Sequence, residues 1–303
     1  MGHVTVLGSY NLDLSARVPR CPGPGETLHA LGFDRFHGGK GSNQAIAAAR
    51  AGAVVHLAGC VGDDDAGTAA RALWQAEGLE TSGVATVAAP TGTALILVEP
   101  TGENRIVVVS GANAEVTAAQ AARAGRGVVS GDVALTQLET TLAAAETFLA
   151  TSRARGVLTI LNAAPATASL PPALLAATDI LVVNAVEAEL LAGGEALEAL
   201  AARVGLGVVV TRGGAGAVWH GRDGRRVLVP APTVAVLDST GAGDAFVGAL
   251  AARLSDDWPI EEVLAEGVAA GSMACMTAGA VPSLPTAADI VAMRARMAAA
   301  ART

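Results

Sequence analysis

The segment Ser239-Thr240-Gly241-Ala242-Gly243-Asp244-Ala245-Phe246 puts three residues without bulk and one carboxylate at the start of a long apolar stretch, Ala242–Leu254, which reads as a helix. It follows the strand-like run Val234–Leu237. A helix start leaves about four backbone N–H groups without intrahelical partners, and the aligned peptide dipoles add partial positive charge there. Beside Gly241, Ala242 and Gly243 an anion such as a phosphate can approach those amides closely. Asp244 then stands next to the phosphate, able to accept a proton from an attacking hydroxyl. The same spacing also suits a plain glycine turn with an ordinary first-turn acid, so the segment alone leaves both readings open.

A second glycine-rich helix entry is Gly38-Gly39-Lys40-Gly41-Ser42-Asn43-Gln44. It is not a Walker A loop. The first glycine of that motif falls at Asp34, and Gly41 stands where Ser or Thr is needed after Lys40. Closely approaching backbone with Lys40 and Asn43 suits a polyhydroxylated ligand. A tight strand-to-helix turn explains the segment equally well in isolation. Asn11-Leu12-Asp13 follows the first strand, Val4–Leu7. Residues beyond strand carboxyl ends line the ligand crevice of an open α/β sheet, and period-two spacing puts Asn11 and Asp13 on one face. Gln137-Leu138-Glu139, Asn184 with Glu187, and Thr211-Arg212-Gly213-Gly214-Ala215-Gly216 each follow a further strand. Glu139 is a hydroxyl acceptor. Glu187 suits hydrated Mg²⁺, which binds through few carboxylates plus phosphates. Each is also a plausible strand-end turn taken singly; their recurrence after several strands favours a shared crevice.

Other chemistries fare badly. The five histidines form no HxxxH or HExxH pattern, which argues against zinc, and no G-x-S-x-G elbow is present. A net charge of −8 with only 3% aromatic residues argues against nucleic acid, which demands a basic face. Cys21, Cys60 and Cys275 are far apart and odd in number, so a reduced compartment is expected. The N-terminus lacks a basic n-region and a cleavage site, and no apolar run is long enough to span a bilayer. The expectation is a soluble cytoplasmic protein.

These residues need a scaffold. The 303 residues, half of them hydrophobic, suffice for one large core with a modest appendage. Expected helices are Ser42–Ala51, Asp65–Glu77, Thr141–Arg155, Glu195–Arg203, Ala242–Leu254, Ile260–Thr277 and Thr286–Ala300. Expected core strands are Val4–Leu7, Val54–Ala58, Val128–Leu135, Leu158–Leu161, Ile180–Val183 and Gly207–Val210. Apolar strands alternating with helices predict a doubly wound, mainly parallel α/β sheet covered on both faces. Leu12–His37 and the hairpin Thr93–Glu99 with Arg105–Ser110 are more exposed in character. They are expected to form a small separate sheet, spanning roughly residues 12–37 and 92–110 of a single domain, 1–303.

At this point the chain resembles the PfkB family of carbohydrate and nucleoside kinases, and within it the ribokinase group, nearly end to end from Gly8-Ser9 to Pro282-Ser283. Gly38–Gln44 and Asp238–Asp244 are specific when found together in this order. Pro24-Gly25-Glu26-Thr27, Gly111-Ala112-Asn113 and Leu161-Asn162 with Pro165-Ala166 are similar to ribokinase segments as well. The resemblance implies a β-sheet lid over a sugar, ATP as phosphoryl donor, and D-ribose converted to ribose 5-phosphate. It implies that Asn11, Asp13, Gly39, Lys40, Asn43 and Glu139 bind the sugar. Gly241, Ala242 and Gly243 form the anion hole, with Asp244 as catalytic base. Asn184, Glu187, Thr211, Gly213 and Gly216 serve ATP and Mg²⁺, and K⁺ sits near Asp238, Thr240, Gly279 and Ser283. Family members often place Asn or His against the adenine; the corresponding stretch here reads Gly267-Val268-Ala269-Ala270-Gly271. A nucleoside kinase with Phe33, Phe36 or Trp74 lining a base pocket, a fructokinase, and a non-catalytic sugar-binding protein are the alternatives. Exposed lid edges favour a homodimer.

Overall fold

The computed structural model describes residues 2–256 and 258–300. The chain opens with β1 (His3–Leu7), β2 (Asn11–Arg17), β3 (Gly32–Gly38), α1 (Lys40–Arg50), β4 (Val54–Gly62), α2 (Asp65–Ala76) and β5 (Glu80–Val87). Next come β6 (Thr93–Val98), β7 (Asn104–Val109), a 3₁₀ turn at Gly111–Glu115, α3 (Ala118–Gly127), β8 (Val133–Thr136), α4 (Leu142–Arg153) and β9 (Leu158–Asn162). These lead to α5 (Pro172–Ala176), β10 (Ile180–Asn184), α6 (Ala185–Ala192), α7 (Leu197–Ala201), β11 (Gly207–Thr211), β12 (Ala217–Gly221) and β13 (Arg226–Val229). Four helices finish the chain: α8 (Ala242–Leu254), α9 (Ile260–Ala274), α10 (Ala280–Ser283) and α11 (Ala287–Ala300).

The large sheet has the order β13-β12-β11-β10-β9-β8-β1-β4-β5. The strands from β11 to β5 pair in parallel, and β12 and β13 add an antiparallel edge. Side chains alternate between two cores, as period two requires. Val4, Val6, Val133, Leu135, Ile160, Ile180 and Val182 face one core with α1, α8 and α9. Leu7, Ala134, Leu161, Leu181 and Val183 face the other with α4. The expected doubly wound sheet is therefore present. From β1 the chain runs outward to β4 and β5, then crosses to β8 and runs the other way. The strand order reverses between β1 and β8, and a ligand crevice belongs beyond the carboxyl ends of those two strands.

A second, four-stranded sheet has the order β3-β2-β6-β7. Its β2–β3 and β6–β7 pairs are antiparallel, and β2–β6 is parallel. Its outer edge is strongly apolar yet open: Ile106, Val107, Val108 and Val109 on β7 are all exposed.

Some expected elements differ. The strand placed at Val128–Leu135 begins only at Val133, because Gly131, at φ 94°, turns the chain and Val129 N–H caps onto Asp132 Oδ2 at 2.9 Å. Val234–Leu237 is irregular, with Leu237 N–H bonded to Cys275 O. It lies along the end of α9 and not in the sheet. The helix expected over Glu195–Arg203 is confined to Leu197–Ala201 and is preceded by α6, which a capping box at Asn184 starts. Strands β5, β12 and β13 and helix α3 are additional.

Helices α1 and α8 carry the two glycine-rich segments, and they pack closely. Gly248 is the reason: a Cβ there would lie 2.4 Å from Ala47 Cβ and 2.6 Å from Gln44 O. Backbone cannot yield cheaply. Gly248→Val is expected to destabilise the protein by about 1–3 kcal/mol through overpacking, measured as a lowered urea midpoint. An unchanged midpoint would mean that the helices are free to part.

Candidate active site

The sheet reversal puts the ends of β1 and β8 side by side, and both glycine-rich helix starts lie over them. The first of these, α1, begins at Gly39, at φ 87°. A Cβ on Gly39 would meet Tyr10 Cα at 2.6 Å, and one on Gly41 would meet Ser9 N at 2.3 Å. The glycine spacing thus lets the helix start rest on the backbone that joins β1 to β2. Ser42 N–H donates to Ser9 O at 2.8 Å and locks this contact. Glu139, beyond β8, closes it from the other side: its Oε2 accepts from Ser9 Oγ at 2.5 Å and from Lys40 N–H at 2.9 Å.

The second start, α8, has Gly241 as its N-cap in the left-handed region, φ 79°. Ala242 N–H bonds to Ser239 O, but the N–H groups of Gly241 and Gly243 have no partner among the described residues. Nothing lies within 4 Å of a Cβ built on Gly243, so the chain is open on that side, whereas a Cβ on Gly241 would meet Ala280 Cα at 3.1 Å. Asp244 sits one residue on and is 8% exposed. Its Oδ2 accepts from Asn43 Nδ2 at 3.0 Å, and its Oδ1 from Gln44 Nε2 at 2.9 Å. The two motifs, about 200 residues apart in sequence, are joined by these two bonds.

Charge is concentrated here. Lys40 is half-buried; burial opposes its charge, but the carboxylates of Asp244, Glu139 and Glu187 prevail and hold its pKa above the ordinary lysine value. Asp13 follows Asn11 on the same face of β2. Burial, then the charges of Glu139 and Asp244, push its carboxyl up to about 7. Asn11 is fixed by Asn113, whose Nδ2 donates to Asn11 Oδ1 at 2.9 Å and to Tyr10 O at 3.0 Å. That leaves the Asn11 amide nitrogen for a ligand. Bonds and charges thus bring Asn11, Asp13, Gly39, Lys40, Asn43 and Glu139 together around the start of α1, with Asp244 beside them.

The remaining residues cluster at its flank. Parallel register pairs Asn184 with Thr211 at the ends of β10 and β11. Asn184 and Glu187 form a capping box: Glu187 N–H donates to Asn184 Oδ1, and Asn184 N–H to Glu187 Oε2, each at 2.8 Å. Both residues thus have a structural duty, and one Glu187 oxygen remains. Burial pushes the Glu187 carboxyl up against the pull of the Asn184 N–H and Lys40. Gly213 is exposed with open space around it, whereas Gly216 is required by packing, since a Cβ would lie 2.0 Å from Val229 O. Asp238 ties two loops together: Oδ1 accepts from Thr240 N–H and Oγ1, and Oδ2 from Gly279 N–H. Burial raises its pKa, but the Gly279 and Thr240 donors outweigh that and hold it low. Ser283 Oγ donates to Ala280 O at 2.7 Å, within the same loop pair.

The donor chemistry fits hard cations. Among the described residues no group of three or more His, Cys, Asp or Glu could hold a metal. Glu187 keeps one carboxylate oxygen free of the capping box, and Mg²⁺ binds through one or two carboxylates with substrate phosphates. Around Asp238, Thr240, Gly279 and Ser283 the carboxylate is already engaged, which leaves backbone carbonyls and the Ser283 hydroxyl oxygen, oxygen donors that suit a monovalent cation.

Gln44, Gln137, Asn113 and Asn162 stand within the sequence segments named above, where nothing local assigns them to the site. All four are buried amides, and burial is the signal that sequence alone withholds. Trp74 is 2% exposed, donates to Ser42 Oγ and packs edge-on to Tyr10. It is a core residue and lines no base pocket. Gly267 and Gly271 lie where α9 packs on Phe246 and Ala242 of α8, so that stretch is a helix contact.

Known proteins share this fold. Residues 1–287 match the pfkB family carbohydrate kinase, and the chain belongs to that family. It is 35% identical to the ribokinase of Haemophilus influenzae over 292 residues, covering 93% of this chain and 95% of that one. It is 34% identical to the ribokinase of Schizosaccharomyces pombe over 305 residues, 94% of this chain and 96% of the relative. Among solved structures it resembles the Arabidopsis thaliana ribokinase complexed with ribose and ATP, with TM-score 0.86 and 28% identity, covering 97% of this chain and 98% of that one. The chain is a phosphotransferase acting on an alcohol group.

The raised Asp13 pKa sets a pH dependence. Its folded value, about 7, lies above the ordinary 3.8, so ionisation is costlier in the folded chain. Its contribution to stability is full at low pH and lost as pH rises through about 7. Asp13→Asn is expected to melt higher than the parent near pH 8 and to lose that advantage toward pH 4. Melting curves of the ligand-free proteins check this; a pH-independent difference would contradict it.

Proposed function

We propose that this chain transfers the γ-phosphoryl group of ATP to the primary hydroxyl of D-ribose, giving ribose 5-phosphate. The supporting observation is the joint placement of unpaired α8 amides and Asp244 over the β1–β8 crevice, with hydroxyl-binding groups on the other side of Asp244. The similarity to ribokinases over nearly the whole chain supports the substrate.

Asn11, Asp13, Glu139, Asn43, Lys40 and the Gly39 backbone hold the sugar hydroxyls. This aims the primary hydroxyl at Asp244. The nucleotide lies along Asn184, Thr211, Gly213 and Gly216, and its γ-phosphate rests on the Gly241–Gly243 segment. Phosphoryl transfer passes through a loose transition state, so positioning and charge stabilisation carry most of the catalysis. The free amides stabilise charge gathering on the equatorial oxygens. As the sugar oxygen bonds to phosphorus, the bond to the bridging oxygen of ADP breaks, and Asp244 takes the hydroxyl proton. Glu187 would hold hydrated Mg²⁺, which neutralises phosphate charge. Carbonyls near Asp238, Thr240 and Gly279, with Ser283, would hold K⁺ behind the anion hole.

The molecule functions as a single domain with the small sheet as its lid. Closure over the sugar excludes water and suppresses ATP hydrolysis. The open apolar edge of β7 fits a homodimer formed through the lids, since such an edge is otherwise an aggregation hazard. No helix among the described residues is long and apolar enough to cross a membrane. Burial removes Trp74 from the nucleoside alternative, while Phe33 and Phe36 stay exposed on β3, so the choice of acceptor falls to a substrate comparison.

An ADP-release assay with Mg²⁺ and K⁺, comparing ribose, fructose and adenosine, is expected to rank ribose first; a preference for adenosine would overturn the assignment. Asp244→Asn is expected to lower kcat by at least ~100-fold with little change in sugar affinity, since general-base catalysis is worth about 10²–10⁴. Full activity in that variant would remove Asp244 from the mechanism. Val107→Glu on the exposed β7 is expected to shift the protein from dimer to monomer in sedimentation velocity, and an unchanged sedimentation coefficient would place the interface elsewhere.

A further inference from the structure

Asp244 is held by more than a neighbour. Gln44 is fully buried, and its Nε2 donates both to Asp244 Oδ1 at 2.9 Å and to Asn162 Oδ1 at 2.8 Å. Its Oε1 accepts from Gln137 Nε2 at 2.7 Å. Asn162 Nδ2 in turn donates to Val182 O at 3.1 Å. Three buried amides from α1, β9 and the end of β8 thus form one chain that ends on a backbone carbonyl of β10.

That carbonyl sets the direction of the whole chain. A backbone oxygen can only accept, so Asn162 must turn its NH₂ toward Val182. Its Oδ1 then faces Gln44 and demands the Gln44 NH₂. With that NH₂ placed, both of its protons are used, one on Asn162 and one on Asp244. Gln44 Oε1 is left facing the Gln137 NH₂. A flipped Gln44 would set its oxygen against both Asp244 Oδ1 and Asn162 Oδ1, and unpaired acceptors in a buried site are costly. The amide that meets Asp244 is therefore fixed in orientation by the sheet, not by the ligand.

We propose that Gln44 is a positioning residue for the phosphoryl transfer: with Gln137 and Asn162 it fixes the rotation of the Asp244 carboxylate so that one oxygen edge stays aimed at the acceptor hydroxyl. Asn43 holds the other oxygen, but Asn43 is also assigned to the sugar in the proposed function, and its Oδ1 is buried and without a partner. Gln44 is the restraint that does not depend on substrate. This inference rests on the reading of Asp244 as the base.

Gln44→Met keeps side-chain volume and deletes the amide. The expected result is a kcat lowered about 10- to 100-fold, the scale of a misplaced reacting group, with the KM for ribose within about threefold of the parent. In an Asp244→Asn background the same substitution should cost nothing further, because residues acting as one unit are non-additive. Gln137→Met, which removes only the outer donor, should lower kcat in the same direction by a smaller factor, and it decides the matter if Gln44→Met does not fold. A wild-type kcat in the folded variants, a loss confined to KM, or an equal loss in the Asp244→Asn background would overturn the proposal. If Asp244→Asn alone is fully active, the base assignment itself fails; if it is inactive while Gln44→Met and Gln137→Met are normal, only the positioning role fails.

Discussion

The meeting of two helix starts over one sheet reversal governs this molecule. At that point α8 presents backbone N–H groups with nothing to bond, and α1 presents Asn43 and Gln44 to the carboxylate that follows them. A phosphate is attracted to the first feature by partial charge. In the proposed reaction the second orients a hydroxyl. The proposed transfer needs both helices, and Gly248 lets them pack closely. Around them, Lys40 is the ammonium that offsets Asp244, Glu139 and Glu187.

This arrangement is held at a cost in stability. Asp13 is half-buried beside two carboxylates and resists ionisation. Asn43 Oδ1 and Gln137 Oε1 are buried without partners. A site prepared for a polar ligand carries such unsatisfied groups until the ligand arrives, and stability must come from elsewhere. Here it comes from two aliphatic cores on either side of the sheet. Far from the site, Glu266 contributes by bonding both Arg253 and Arg294 at the junction of α8, α9 and α11.

Much of this was legible in the sequence because local patterns were strong. Ala242–Leu254 is bounded by Gly241 and a polar turn, and the helix occupies those limits. Apolar runs such as Ile180–Val183 could only be strands buried on both faces. The four strands of the small sheet were marked by Pro and Gly punctuation. What escaped lacked a local signal. β5 reads Glu80-Thr81-Ser82-Gly83-Val84, polar because it is an edge strand, and β13 is the edge at the other end, whereas β12 between β11 and β13 is short, apolar and buried. Val234–Leu237 has strand composition, yet no neighbouring strand is there to pair with it. In the site, residue types pointed to Asp244, Lys40 and Glu139. Gln44, Asn113 and Asn162 were invisible as site residues because their roles come from partners far along the chain.

The central claim is spatial, and a crystal structure of this protein with ribose and a non-hydrolysable ATP analogue tests it most directly. The terminal phosphate is expected on the Gly241 and Gly243 amides, with the primary hydroxyl of the sugar within hydrogen-bond distance of the Asp244 carboxylate. A terminal phosphate bound away from α8, or a sugar whose primary hydroxyl turns from Asp244, would contradict it.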